Sequence, residues 1–398
     1  MIEKHDDYLS VDAGNGITRR YHWIWLRDKC PCSQCFNKNS RQKYFDSSTI
    51  PIDIRPVEIG EAGSTLRIIW MGGHKSEYDL SWLARQDYSH QVPPRPEGAK
   101  PAYELWGGME LPAEARFSSL QAQHEDETLR AALDALLRFG VVTFKGDPIR
   151  KVSFETFTDR VAGFLDRTYF GEFFDLNVKP EATTDSVAFS TRELPLHTDI
   201  PYYSPPPDFQ FLYGLDVSPE CARRGIGSTR FVDGLAAAIG LRSEEPEAFA
   251  ALTRIAVINR AEYPQASKIY ENIAPIIKLA KDGSIERLLN NPSKMFFDNV
   301  EFDDMLPLYR AYKIFKERLV SASPAYSHNW SDGDLVIWDN RRILHGRGEF
   351  GSQGVKRILR GGYISETELL ARRRFLRGNG PAHYFASETS RPPALAEM

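Results

Sequence analysis

The sequence predicts an α+β, mostly β protein of two domains, and three observations carry that expectation. At 398 residues the chain exceeds what a single hydrophobic core comfortably serves. Residues 1–95 alternate short apolar runs with Gly and polar turns, as in a small β-rich domain. The remainder mixes helical periodicity with strand-like runs, and its candidate metal ligands sit far apart in the chain.

Taken in order, Tyr21-His22-Trp23-Ile24-Trp25-Leu26 and Thr65-Leu66-Arg67-Ile68-Ile69-Trp70 read as strands of the N-terminal domain. A Pro-rich stretch from Val92 to Pro101 leads into a linker set at residues 96–115, and the larger domain covers 116–398. Leu129, Leu133, Leu136 and Leu137 share one helical face. Gly140 closes that helix, and Val141-Val142-Thr143-Phe144-Lys145 is expected as the first strand of the larger domain. Leu308, Tyr312, Phe315 and Leu319 mark another amphipathic helix, with Pro307 near its start. Ser331-Asp332-Gly333-Asp334 is a turn feeding the apolar strand Leu335-Val336-Ile337-Trp338. The tail beyond Gly380 reads as loosely ordered.

A net charge of -4 without a basic run argues against a nucleic-acid partner. No apolar stretch is long enough to span a bilayer, and the polar start Met1-Ile2-Glu3-Lys4 is not a signal peptide. A cytoplasmic address is the resulting expectation. Cys30, Cys32 and Cys35 crowd into one loop, which in a reducing compartment points to metal ligation before disulfide formation. Cys221 stands apart as a buried or loop thiol.

His197-Thr198-Asp199, answered far downstream by His345, has the composition of a 2-His-1-carboxylate site for Fe(II). Residues i and i+2 of an extended segment project to one side, so His197 and Asp199 can hold one ion while His345 arrives from another strand. Such a site leaves positions open for a keto acid and O2. Arg357, 12 residues beyond His345, offers a bidentate cation for the distal carboxylate of 2-oxoglutarate. The bland alternative is two satisfied core histidines and a surface arginine.

With those residues stand Pro-Asp-Phe-Gln-Phe-Leu at 207–212, Phe-Val-Asp-Gly at 231–234, Leu-Asn-Asn-Pro at 289–292 and the long run from Gly333 to Arg347. Over nearly its whole length the chain resembles the γ-butyrobetaine hydroxylase group of the taurine-dioxygenase-like Fe(II)/2-oxoglutarate oxygenases. The resemblance implies a double-stranded β-helix (jelly-roll) catalytic domain in which His197, Asp199 and His345 hold iron. It also implies that Arg357 binds the 2-oxoglutarate C5 carboxylate, with Thr229 as a hydroxyl contact and Arg360 as a second carboxylate contact. Relatives carry an N-terminal zinc-binding domain, which makes His74 the expected fourth ligand beside Cys30, Cys32 and Cys35, and the zinc structural.

Relatives also hold a trimethylammonium head in an aromatic box. Phe170, Phe174, Phe189 and Tyr363 stand at the box positions, and Tyr203 is expected to close a further wall. Phe replaces the usual Tyr or Trp in three places, Ser186 replaces an Asn used for the substrate carboxylate, and Leu212-Tyr213-Gly214 replaces Leu-His-Cys. Asn290 and Asn291 remain as hydrogen-bonding partners for an acid group, and Arg192 adds a cation near the iron loop. The expected reaction is hydroxylation of an unactivated C–H in a small zwitterion, with succinate and CO2 formed from 2-oxoglutarate and O2. γ-Butyrobetaine is the prototype, with 2-trimethylaminoethylphosphonate and trimethyllysine as alternatives. A sulfonate or amino-acid oxygenase without a cation box and a non-catalytic zinc-bearing interaction protein are the further readings. A homodimer follows the family tendency.

Overall fold

The computed structural model describes residues 2–12, 17–86, 103–147, 149–177, 187–321, 325–348 and 355–379. The Pro-rich stretch from Val92 to Pro101, Ser186 and the tail beyond Gly380 lie outside the described residues. The chain divides into two compact units near residue 100.

In the N-terminal unit, strands Ile2–Lys4, Tyr8–Asp12 and Thr18–His22 form one antiparallel sheet, and Pro56–Ala62, Thr65–Trp70 and Lys75–Asp79 form another. Leu66, Ile68 and Trp70 turn inward at alternate positions of their strand, the period of a half-buried sheet. They meet Leu9, Tyr21, Trp23 and Trp82 in one core. The apolar run from Tyr21 to Leu26 is not a single strand. It ends one strand and begins the helix Trp23–Asp28, which buries Trp23 and Leu26. A strand would have sent both residues to one face only if their spacing were even, and it is odd.

Two sheets form the core of the second unit. The larger orders its strands as Phe173–Leu176, Arg357–Ile364, Phe209–Val217, Leu335–Asp339, Val141–Lys145 and Arg116–Ser118. The smaller orders Leu194–His197, Ile343–Arg347, Thr229–Asp233 and Tyr326–His328. Together they make a double-stranded β-helix, in which neighbours in a sheet come from distant sequence. Even-numbered Val232 and Leu344 pack outward under the helices Gly234–Glu244, Pro246–Arg254 and Phe302–Ser321. The odd-numbered Thr229, Phe231, His345 and Arg347 therefore turn to the opposite face.

Helix Asp126–Phe139 matches its expected face, since Leu129, Leu133, Leu136 and Leu137 are buried against the larger sheet. Each such burial stabilises by roughly 1.5–3 kcal/mol. Gly140 ends this helix in the left-handed conformation, its N–H donating to the Leu136 carbonyl at 2.8 Å. The expected strand Val141–Lys145 follows directly. Pro307 lies inside its helix, which begins at Phe302. The missing proline N–H removes one bond near the amino end, where Asp303 and Asp304 favour the helix dipole. Residues 103–115 fall in the expected linker, yet Trp106, Leu111 and Ala115 are buried in the core of the second unit.

Candidate active site

His197 and His345 are directly opposed partners of the antiparallel pair Leu194–His197 and Ile343–Arg347, with ring centroids 4.2 Å apart. This register is why residues so distant in sequence meet. Asp199 follows just past the strand end. Its backbone N–H donates to Asn340 Oδ1 at 2.7 Å, and its carbonyl accepts from Asn340 Nδ2 at 2.9 Å. One asparagine thus fixes the main chain of the loop on both sides. Ile200 follows at φ 50°, strained for a β-branched residue and held by burial at 3% exposure.

Asp199 Oδ1 lies 3.1 Å from His197 Nε2 and 4.0 Å from His345 Nε2, and the three donor atoms fall within 4.8 Å of one another. An octahedral ion with ~2.1 Å bonds wants neighbouring donors about 3 Å apart, so two nitrogens and one carboxylate oxygen here fit Fe(II). His197 Nδ1 donates to the Pro195 carbonyl at 2.8 Å, which orients the ring so that Nε2 faces Asp199 and the metal position. Burial and the neighbouring His197 push His345 down to about 3, so it is a neutral imidazole at pH 7. Burial opposes ionisation of Asp199, but the His197 hydrogen bond, the field of His345 and the Tyr363 hydroxyl together hold its carboxyl well below the usual range. The site is ready for a cation.

Beside the triad lie two buried guanidiniums. Arg357 opens the strand Arg357–Ile364 and donates from Nε to the Gly227 carbonyl at 2.8 Å. Burial and then Arg347 push Arg357 down to about 9, and burial pushes Arg347 to about 10. Both stay cationic at neutral pH and repel each other, so an anion between them relieves the strain. Thr229 faces Arg347 across the strand pair, and its Oγ1 accepts from the Trp330 indole at 2.9 Å. With that oxygen engaged, the hydroxyl proton is available to a carboxylate.

These groups line one cavity that also has an aromatic wall. Phe170 lies 5.9 Å from Phe174 and 6.4 Å from Phe189, and Phe174 lies 5.8 Å from Tyr363, centroid to centroid. Phe174 is registered against Gly361, where a Cβ would come within 2.8 Å of the ring, so only glycine lets the ring lie over the strand.

Of the residues expected here, Phe170, Phe174, Phe189, Tyr363, Thr229 and Asn291 line the cavity. Others do not. Arg360 stands three residues from Arg357 on one strand, an odd spacing that sends it to the opposite face. There it pairs with Asp175 at 2.7 Å and covers the Phe173 ring. Asn290 is buried behind the iron loop, bonding the Leu196 carbonyl through Nδ2 at 3.0 Å and Thr198 through its backbone. Arg192 is exposed ahead of the strand, and its carbonyl accepts from Arg347 at 3.0 Å. Tyr203 turns away, its hydroxyl accepting the Tyr169 N–H at 2.8 Å, because the turn at Ile200 aims Tyr202 inward instead. Ser186 lies outside the described residues.

Several lining residues lie outside the sequence-based expectations, among them Tyr202, Gln210, Tyr263, Lys294 and Arg347. Arg347 was legible, being two residues from His345 and so on the same strand face. Nothing local marks Tyr263 or Lys294. Tyr263 stacks on Tyr169 at 3.6 Å and bonds Tyr202 at 2.8 Å through their hydroxyls, while Lys294 Nζ lies 5.9 Å from the Tyr263 ring centre.

The N-terminal unit has a second donor cluster. Cys30, Cys32 and Cys35 Sγ lie 3.2, 3.8 and 3.4 Å from His74 Nε2. A zinc tetrahedron with its usual bond lengths has donor separations of about 3.5 Å, so three sulfurs and one nitrogen here fit Zn²⁺. Burial pushes the Cys30 thiol up to about 12, so a cation is what would hold it as thiolate.

Comparison with known proteins bears on both units. The taurine catabolism dioxygenase TauD, TfdA family model matches residues 106–363. The chain belongs to the TauD/TfdA dioxygenase family. It is an Fe(II)/2-oxoglutarate-dependent oxygenase. The γ-butyrobetaine hydroxylase-like N-terminal model matches residues 1–84 of this TauD/TfdA member. A γ-butyrobetaine dioxygenase of Pseudomonas sp. (strain AK-1) is 32% identical over 92% of this chain and 92% of its own length. Dioxygenase str8 of Strobilurus tenacellus is 31% identical over 91% of this chain and 86% of its own. A trimethyllysine dioxygenase of Meyerozyma guilliermondii is 27% identical over 92% of both. Among the described residues, no helix is long and apolar enough to cross a membrane.

Proposed function

We propose that this TauD/TfdA oxygenase hydroxylates an unactivated C–H of a small zwitterion with a trimethylammonium head. The observation that carries the reading is one cavity with the His197–Asp199–His345 triad and the aromatic wall of Phe170, Phe174, Phe189 and Tyr363. Iron and 2-oxoglutarate supply the oxidising chemistry: O2 is split between the new C–OH and succinate, and CO2 leaves. The protein's own residues bind, orient and exclude water.

In this reading His197, Asp199 and His345 hold the metal, and Arg357 receives the C5 carboxylate of 2-oxoglutarate while Thr229 donates its hydroxyl proton to it. Ring faces attract the quaternary cation without hydrogen bonds, which a trimethylammonium group cannot make. Asn291 and Lys294 line the same cavity and suit the anionic end. The relatives named for γ-butyrobetaine and trimethyllysine support this substrate class. Lys294 keeps 2-trimethylaminoethylphosphonate in view, since a compact ammonium suits a charge-dense oxyanion.

The test is substrate-dependent succinate formation with γ-butyrobetaine, trimethyllysine, 2-trimethylaminoethylphosphonate and 5,5-dimethylhexanoate, the uncharged tert-butyl isostere of the first. At least one quaternary acid is expected to turn over. The isostere should lose at least about tenfold in kcat/KM relative to γ-butyrobetaine, as cation–π contacts worth ~2 kcal/mol imply. Equal use of the isostere, or no turnover of any quaternary acid, overturns the reading.

Gly227 tests the cosubstrate end. It sits at φ +62°, where a Cβ would come within 2.6 Å of Arg357 Cδ and Nε. Gly227→Ala is therefore expected to displace the guanidinium and raise the 2-oxoglutarate KM about tenfold or more, at the cost of a strained residue and a buried clash. An unchanged KM in the folded variant removes Arg357 from the cosubstrate site.

A further inference from the structure

Asp199 has two carboxylate oxygens with different company. Oδ1 faces the two imidazoles, whereas Oδ2 accepts from Gln210 Nε2 at 2.5 Å and from the Tyr363 hydroxyl at 2.9 Å. Gln210 and Tyr363 are directly opposed in the pairing of Phe209–Val217 with Arg357–Ile364, so the sheet register sets the two donors side by side. Each is only 2% exposed. A carboxylate accepts and never donates when ionised, which obliges the Gln210 amide to present nitrogen to it. Tyr363 is also a wall of the aromatic box, its ring 5.8 Å from that of Phe174.

We propose that Gln210 and Tyr363 are positioning residues that keep Asp199 a one-oxygen metal ligand, and that Tyr363 joins this clamp to the box that receives the cation. The inference rests on Asp199 being the iron carboxylate and on the box reading given above. A carboxylate left loose can swing both oxygens onto a metal and occupy a position needed by the keto acid or O2. Two buried donors on Oδ2 oppose that swing, as outer hydrogen bonds do for metal-bound groups generally. A cation over the Tyr363 ring draws electron density from the phenol and makes its hydroxyl a stronger donor to Oδ2. Occupancy of the box is thereby felt at the metal carboxylate through one side chain.

Tyr363→Phe separates the two duties, because it keeps the ring and deletes the hydroxyl. Binding of Mn(II) and of tetramethylammonium is measured by titration calorimetry on the full chain, with the d–d bands of the Co(II) form as a coordination readout. Tyr363→Phe is expected to raise the Mn(II) Kd roughly 10- to 100-fold, in line with loss of an outer-shell partner, while the tetramethylammonium Kd stays within about twofold. Gln210→Leu should weaken Mn(II) and shift the Co(II) bands in the same sense. Phe174→Ala should show the reverse pattern, with weaker tetramethylammonium and a Mn(II) Kd within about twofold of the parent. A Tyr363→Phe protein with parental Mn(II) affinity and Co(II) bands overturns the clamp, and equal weakening of both ligands reduces Tyr363 to a packing residue. Failure of the parent protein to bind Mn(II) sinks the triad reading itself, and failure to bind tetramethylammonium sinks the box reading and with it the link.

Discussion

Asp199→Ala is expected to lower substrate-dependent succinate formation at least about 10³-fold, equivalent to ~4 kcal/mol of lost barrier reduction. The variant removes the only carboxylate among the three converging donors, and with it the charge that offsets half of a divalent cation. It also strands Gln210 Nε2 and the Tyr363 hydroxyl, both of which spend a hydrogen bond on Oδ2 inside the barrel. Each stranded buried donor costs on the order of 1–3 kcal/mol, so a modest drop in melting temperature accompanies the loss. Backbone bonds from Asn340 to residue 199 are untouched by the substitution and keep the loop in place. The far-UV spectrum should therefore match the parent while Mn(II) binding is lost. Turnover above a tenth of parental would mean that the iron carboxylate is elsewhere.

Which parts of this site were legible in the sequence follows from the period of a strand. The triad was readable because His197 and Asp199 obey an i, i+2 spacing and His345 lies on a run of strand-forming residues. Arg347 obeys the same rule and could have been read. Arg360 departs from it, since a three-residue step along a strand from Arg357 changes face. Tyr203 and Asn290 failed for another reason. Beyond His197 the chain leaves the sheet through the strained turn at Ile200, and no local period says which of two adjacent tyrosines, or of two adjacent asparagines, turns inward. Gln210 shows the remaining limit. It belongs to a recognisable motif, but its role exists only through a register that pairs it with Tyr363, and register is fixed by the whole sheet.

Extraction of zinc is the other large effect. Treating the protein with a strong chelator, or making Cys32→Ser, is expected to unfold the N-terminal unit while leaving the double-stranded β-helix folded. The N-terminal unit is the smaller of the two, and smaller domains bury a lower fraction of their surface and are less secure alone. Its Leu9, Tyr21, Trp23, Leu66, Ile68 and Trp70 cluster is compact, and the Cys30–Cys35 loop and His74 lie outside it. A structural zinc bound by four such ligands contributes on the order of 10 kcal/mol, enough to decide whether a unit of this size folds. Trp23, Trp25, Trp70 and Trp82 are four of the seven tryptophans in the chain, so fluorescence reports mainly on this unit. Metal removal should shift that emission to the red and open residues 30–45 to protease, with zinc content falling from about one per chain to near zero. The second unit has its own core around Leu133, Phe144, Val336 and Trp338 and should keep its protease-resistant fragment. Chelated protein that retains both its emission maximum and its resistance in the cysteine loop would show that the cluster does not hold the unit together.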